Sequence, residues 1–254
     1  MHPIHNASEK MPIYKKLKQY HCEIVDKSPT WNWDSLTCLT VPGIQRLLHL
    51  DFIYKLAIDN PGDIFEFGCH YGASTSILNN LKQIYEPNSN RRIHTFDSFN
   101  GLSDPNEKFD DSHTEYKNMK GDYKVNIKNY PEILEDILIN QAALYSSVTS
   151  KKSFSINKGY INKTLPEFLS KNSSIMLSLV IFDMDLYEPT LEALEIIKPH
   201  LINGSFVVFD EIISNEQYPG ESLALRNCSY SRELIPFRKS KYVPGAAIFR
   251  YKNV

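Results

Sequence analysis

Cysteine is scarce in this 254-residue chain: Cys22, Cys38, Cys69 and Cys228 are scattered, with no C-x-x-C pair. That argues against a zinc site or a disulfide framework and for a reducing, cytoplasmic location. An excess of either charge is also missing. Lys and Arg total 28 against 30 Asp and Glu, a net charge of −2, so the overall balance predicts no nucleic-acid partner. No apolar run is long enough to span a bilayer, so no membrane insertion is expected. The N-terminus, Met1-His2-Pro3-Ile4-His5-Asn6, has no basic region followed by an apolar core, and no signal peptide is expected. Repeats, low-complexity tracts and the G-x-G-x-x-G of dinucleotide binders are absent too. With 42% hydrophobic and 23% charged residues, the chain has ordinary globular composition and is long enough for one large α/β domain.

What is present is organised around Leu177 to Thr190. Leu177-Ser178-Leu179-Val180-Ile181-Phe182 reads as a strand covered on both faces, and it ends on Asp183 and Asp185. Pro189 then sits where a helix can start, ahead of an amphipathic run from Leu191 to Ile197. A second such strand, Gly204 to Phe209, ends on Asp210 and Glu211. Strand, helix, strand is a right-handed βαβ unit, which brings both acidic ends to one edge of the sheet. Ligands bind at that edge in open α/β sheets. Converging carboxylates without Cys or His suit a hard divalent ion such as Mg²⁺ or Mn²⁺. The plainer alternative is that these acids only cap the helices that follow.

Upstream, Asp63 to Phe67 reads as a strand, followed by a loop with Gly68 and Gly72 and a helix opened by Ala73, Ser74 and Thr75. Glycines allow close backbone approach, and a helix N-terminus offers free N–H groups. Glu66 at the strand end disfavours a diphosphate and favours a ligand with a positive group. The next strand, Arg92 to Asp97, ends on an acid where nucleotide-binding sheets hold ribose hydroxyls. A turn-forming role for Asp97 is the alternative.

Gly43 to Ile58 has helical spacing of Ile44, Leu47, Leu48, Ile53 and Leu56. Pro105 to Tyr130 is polar and irregular, as expected of a lid, with His113 in its middle. Pro131 to Leu144 reads as a helix whose apolar face carries Ile133, Leu134, Ile137, Leu138 and Leu144. Ser153 to Asn157 reads as a strand, and Thr164 to Leu169 as a short helix capped by its threonine. Glu233 to Pro236 and Ala246 to Tyr251 read as closing strands, giving a mostly parallel sheet with an antiparallel edge. Trp31 and Trp33 are candidates to cover a face, line a pocket or pack against a second subunit in a homodimer. Lys82, Arg91, Arg92, Arg226, Arg232 and Arg238 are candidates to contact a diphosphate.

Taken in order, these pieces resemble the macrocin O-methyltransferase-like family of class I S-adenosylmethionine-dependent enzymes that methylate sugar hydroxyls. The resemblance rests on Gly62 through Ser74, Phe96-Asp97-Ser98-Phe99-Asn100-Gly101-Leu102, Lys158-Gly159-Tyr160 through Pro166, Asp183 through Thr190, and Asp210-Glu211. It implies a Rossmann-like sheet with an antiparallel strand at the C-terminal edge and helices on both faces. The methyltransferase domain would cover 43–254, with 1–42 as a helical or irregular extension and a lid-like insertion at about 103–130. S-adenosylmethionine would be held by Thr40, Glu66, Gly68, Gly72, Ser74, Asp97, Ser98, Gly159, Tyr160 and Asp183. Asp183, Asp210 and Glu211 would bind the divalent metal, and Asp185 would be the general base. The acceptor would be a free, nucleotide-linked or natural-product-linked sugar, including a nucleotide sugar bound for a surface polysaccharide. A catechol-type phenol is the runner-up.

Other readings fit less well. A haloacid-dehalogenase phosphatase would use Phe182-Asp183-Met184-Asp185 as its nucleophile strand. That family has a small hydroxyl or valine where this chain has Tyr187, and the motif opens its chain rather than arriving late. A nicotinamide dehydrogenase is opposed by the glycine pattern. A catalytically silent cofactor-binding subunit is opposed by the intact acids.

Overall fold

In the computed structural model, which describes residues 11–111, 117–144, 153–213 and 218–253, the stretch at Leu177–Phe182 (β4) is a strand with every residue buried. It is central because its side chains are apolar on both faces. Val180 and Phe182 join one core, Leu179 and Ile181 the other. The remaining strands are Asp63–Phe67 (β1), Ile93–Asp97 (β2), Phe154–Lys158 (β3), Leu201–Phe209 (β5), Leu234–Lys239 (β6) and Ala247–Tyr251 (β7). They form one sheet in the order β3-β2-β1-β4-β5-β7-β6. β1 to β5 pair in parallel, and β7 runs antiparallel to both β5 and β6. The antiparallel strand therefore lies one position inside the edge. Strand order reverses between β1 and β4, so the crevice at their carboxyl ends is the topological switch point of the sheet.

Helices cover both faces. Val41–Ala57 (α3), Ala73–Tyr85 (α4) and Tyr130–Ala143 (α5) pack on one side; Ile161–Lys171 (α6), Tyr187–Ile197 (α7) and Pro219–Asn227 (α8) pack on the other. On the second side a row of phenylalanines crosses the sheet. Phe96, Phe67, Phe182, Phe209 and Phe249 follow one another at ring centroid distances of 5.3, 5.1, 4.9 and 5.8 Å. Each such buried ring contributes roughly 1.5–3 kcal/mol through burial alone.

Three helices differ from their sequence expectation. In α3 the inward face is His49, Leu50, Ile53, Tyr54 and Ala57, while Ile44, Leu47 and Leu48 of the expected apolar spacing are exposed. In α5 only Tyr130, Leu134 and Leu138 are buried, while Ile133, Ile137 and Leu144 are 41%, 40% and 78% exposed. Its apolar periodicity is wider than the contact it makes. α6 begins at Ile161, so Thr164 lies inside its first turn. Its hydroxyl bonds back to the Tyr160 carbonyl at 3.2 Å instead of capping. Before α3 lie Met11–Lys27 (α1), which buries no residue, and Trp31–Asp34 (α2). Trp31 and Trp33 are exposed and do not line the cavity at the carboxyl ends of the central strands. Among the described residues no helix is long and apolar enough to cross a membrane.

The inward face of α3 carries a buried histidine, His49, which is 2% exposed. The Ser240 hydroxyl accepts the N–H groups of Tyr242 and Val243 and so donates its proton to His49 Nδ1, 3.0 Å away. This fixes a neutral imidazole. Burial pushes its pKa down to about 4, with Asp210 opposing and Arg46 reinforcing the shift. The folded protein thus binds this proton more weakly than the unfolded chain, where the pKa is about 6.5. The stability it supports is complete above pH 6.5 and drains away as pH falls toward 4. Between pH 7 and 5, denaturant titrations should show the wild type losing on the order of 2 kcal/mol more than His49→Gln; equal losses would remove His49 as the cause.

Candidate active site

A cavity of about 380 Å³ opens at the switch point, where the carboxyl ends of β1, β2, β4 and β5 meet. Its floor depends on Gly68. The Gly68 N–H bonds the Phe96 carbonyl at 2.9 Å, and the Asp183 N–H bonds the Phe67 carbonyl at 2.9 Å. These bonds lock the exits of β1, β2 and β4 together. Gly68 has φ of +85°, and a Cβ there would fall on the carbonyl oxygen of Asp183. Only glycine permits both the backbone angle and the approach.

Asp97 ends β2 and organises the glycine loop. Its Oδ2 accepts the N–H groups of Cys69 and His70, each at 2.8 Å, and its Oδ1 accepts the N–H of Phe99 at 2.6 Å. A carboxylate offers about four acceptor sites, so roughly one stays open toward the cavity for a ligand hydroxyl. Ser74 and Ser98 also line the cavity, as do Gly159 and Tyr160 at the start of α6. Three residues of the expected cofactor set lie outside the wall. Glu66 is buried beneath the loop, where its Oε2 accepts the hydroxyls of Thr75 at 2.5 Å and Thr95 at 2.9 Å. Burial raises its pKa against the pull of those hydroxyls. Gly72 starts α4 and packs on Leu134, and Thr40 starts α3 with no side-chain cap bond.

Asp183, Asp185, Asp210 and Glu211 share the opposite wall. Sequence reasoning did not anticipate what stands between two of them. Arg46, on α3, donates one guanidinium nitrogen to Asp183 Oδ2 and the other to Asp210 Oδ1, the latter at 2.6 Å. Asp210 and Asp183 raise the arginine's pKa against the cost of burial. Burial and the neighbouring Asp210 raise the Asp183 pKa, with Arg46 opposing them. The available signal was helical phase: Arg46 lies three and four residues before His49 and Leu50, in register with the buried Ile53, Tyr54 and Ala57. None of the six basic residues considered for a diphosphate lines the cavity. Arg91 instead holds carbonyls of Ala57, Ile58, Asn60 and Gly62.

Asp185 sits on a three-residue turn closed by the Leu186 N–H and the Met184 carbonyl at 2.6 Å, with φ of +61°. A non-glycine residue there costs of order 1–3 kcal/mol and persists only where its surroundings hold it. Burial, then Asp183, pushes its pKa well above the usual carboxylate range. From the segment expected to be a lid, Ser103 and Tyr123 reach the cavity wall, and Asp110 accepts the Tyr187 N–H that opens α7 at 2.7 Å. His113 lies outside the described residues. His70 lines the wall, its pKa lowered by burial.

Among the described residues no three His, Cys, Asp or Glu side chains stand as a ready cage for a metal ion. The donor chemistry nonetheless fits a hard divalent ion. Asp183 and Asp210 already converge on one positive charge, with Glu211 beside them. Arg46 supplies that positive charge in this structure.

Comparison with known proteins gives a consistent set of relatives. The macrocin-O-methyltransferase (TylF) family profile matches residues 5–220. A curated relative from Streptomyces olivaceus, 8-demethyl-8-(2,3-dimethoxy-alpha-L-rhamnosyl)-tetracenomycin-C 4'-O-methyltransferase, is 29% identical over 182 residues, 71% of this chain. The chain spans 64% of the length of that relative. The structure of CalS11, described as a calicheamicin methyltransferase, superposes with a TM-score of 0.82 at 29% identity, covering 95% of this chain and 94% of that one. Apo CalS11, described as a TDP-rhamnose 3'-O-methyltransferase, gives 0.75 at 27% identity, covering 95% and 96%. The O-methyltransferase NovP, at 20% identity and a TM-score of 0.58 over 83% of this chain and 81% of its own, shares the fold.

Proposed function

Because the chain belongs to the macrocin-O-methyltransferase (TylF) family, with the Rossmann-like fold of class I methyltransferases, we propose that it transfers the methyl group of S-adenosylmethionine to a sugar hydroxyl. The acceptor class is a deoxyhexose of the rhamnose type, either nucleotide-linked or attached to a natural product. Two relatives named for rhamnose or rhamnosyl acceptors support that choice. The observation that carries the reading is the pairing, across one cavity, of the Gly68–Asp97 wall with the Asp183, Asp185, Asp210 and Glu211 wall.

Gly68, Ser74, Gly159 and Tyr160 would surround the methionine portion of the cofactor. The open acceptor site of Asp97, with Ser98 beside it, would take a ribose hydroxyl. Asp183, Asp210 and Glu211 would hold a divalent ion, which when bound lowers the pKa of a sugar hydroxyl and orients it. Asp185 takes the hydroxyl proton on its carboxylate. Burial and the neighbouring Asp183 raise its proton affinity, and the positive charge of a bound divalent ion would lower it. The attacking oxygen then needs an in-line approach to the sulfonium methyl, so much of the acceleration comes from positioning. Residues 103–130 act as the lid over the acceptor, and 1–42 form an extension to the catalytic domain at 43–254. A homodimer contact through Trp31 and Trp33 and a cytoplasmic location belong to the same reading.

Incubation with methyl-labelled S-adenosylmethionine, Mg²⁺ or Mn²⁺, and a panel of rhamnosyl glycosides, nucleotide sugars and catechols tests it. Label should enter the sugars. Label entering only catechols would replace the sugar acceptor with a phenolic one.

A further inference from the structure

The exits of β4 and β5 are joined by the Asp210 N–H to the Phe182 carbonyl at 3.1 Å and by Arg46 between Asp183 and Asp210, and a further element ties the loops beyond them. Glu221, the third residue of α8, is fully buried. Its Oε1 accepts the N–H of Met184 at 3.0 Å, and its Oε2 accepts the N–H of Glu211 at 3.2 Å. Met184 lies between Asp183 and Asp185, and Glu211 adjoins Asp210, so one carboxylate spans both halves of the acidic wall.

This placement is costly by default. A glutamate at the third position of a helix ordinarily reaches back to cap its own N-terminus while staying in water. Here it is buried beside other carboxyl groups, with its oxygens committed to neighbouring loops. Such a burial needs a compensating role. The residue before it shows how closely α8 is pressed against the same loop. A Cβ on Gly220 would strike the carbonyl oxygen of Asp185 and lie 2.5 Å from both Asp110 Oδ1 and the Tyr187 nitrogen. The turn that places Asp185 at φ +61° is thus held by Glu221 through Met184, by the α8 backbone, and by Asp110 through Tyr187.

We propose that Glu221 is a positioning residue that clamps the Asp183–Asp185 turn to the Asp210–Glu211 turn and so sets the spacing between the base and its neighbouring carboxylates. The inference rests on the methyltransferase reading for its kinetic consequence, but not for the clamp itself. A displacement of about 1 Å at such a site costs on the order of 100-fold in rate.

The test uses Glu221→Gln, which preserves shape but can accept through one oxygen only, and Glu221→Ala, which removes both bonds. Amide hydrogen exchange reads the clamp without any acceptor. Exchange should quicken at both Met184 and Glu211 in the alanine variant and at one of them in the glutamine variant, with β4 unchanged. With a sugar acceptor, kcat should fall about 10- to 100-fold, while KM for S-adenosylmethionine stays within about threefold of wild type. Wild-type exchange at Met184 and Glu211 in Glu221→Ala would overturn the clamp. Wild-type kcat in a variant whose exchange has quickened would overturn the positioning role. A wild-type protein that methylates no sugar would instead count against the proposed function and leave exchange to judge the clamp.

Discussion

Asp185→Asn should lower kcat by about 10²- to 10⁴-fold, the usual contribution of a positioned general base, with the affinity for S-adenosylmethionine within about threefold of wild type. The amide keeps the size of the carboxylate and can still accept a hydrogen bond, but it cannot take a proton. The residue faces the cavity from a turn with φ of +61°, where asparagine is as tolerated as aspartate. The substitution therefore leaves the fold unchanged and isolates the proton transfer. Steady-state kinetics with a rhamnosyl acceptor, paired with calorimetric titration of the cofactor, separates the two quantities. Unchanged kcat would remove Asp185 as base.

The second large effect is expected from Gly68→Ala. Its added methyl meets backbone, the Asp183 carbonyl, which has no rotamer by which to give way. Because Gly68 and Asp183 join the exits of β1 and β4, relief requires parting the two strands at the switch point. The cost should be several kcal/mol, from the contact and the backbone angle together. We expect a lowered melting temperature and a loss of cofactor affinity beyond about 100-fold, roughly 2.7 kcal/mol. Gly121 provides the control. It has φ of +84°, but a Cβ added there would meet nothing within 4 Å, so Gly121→Ala should cost only about 1–2 kcal/mol. If both variants behave alike, the backbone angle rather than the strand contact sets the requirement at Gly68.

Much of this architecture could be read from pattern. The run Leu177–Phe182 is apolar at nearly every position because both of its faces are covered, and that distinguishes a central parallel strand from an edge strand. The acids that follow β4 and β5 come to one sheet edge for the same topological reason. Strand-ending residues such as Asp97, Asp183 and Asp210 are legible because strand direction alone fixes which edge they occupy.

The less legible parts depend on tertiary partners. Arg46 looks in sequence like any solvated helix charge; only the helix's inward phase distinguishes it, and its carboxylate partners lie 137 and 164 residues away. Glu221 has the spacing of a local cap, and burial alone shows otherwise. Glu66 reads as a ligand group at a strand end, yet period-two alternation turns it to the α3–α4 side, where Thr75 and Thr95 receive it. Apolar periodicity also overstated the buried face of α5, since nothing covers Ile133 or Ile137 among the described residues.

On the proposed function, carboxylates at the ends of β4 and β5 ready a sugar oxygen for methyl transfer beside the Gly68–Asp97 wall. Mass spectrometry of the product formed from methyl-labelled S-adenosylmethionine, Mg²⁺ and a rhamnosyl acceptor tests it most directly, comparing wild type with Asp183→Ala. The label is expected on a ring hydroxyl oxygen of the sugar with wild type and nowhere with the variant, although both bind the cofactor. Equal labelling by the two proteins, or label on any atom outside the sugar, would contradict it.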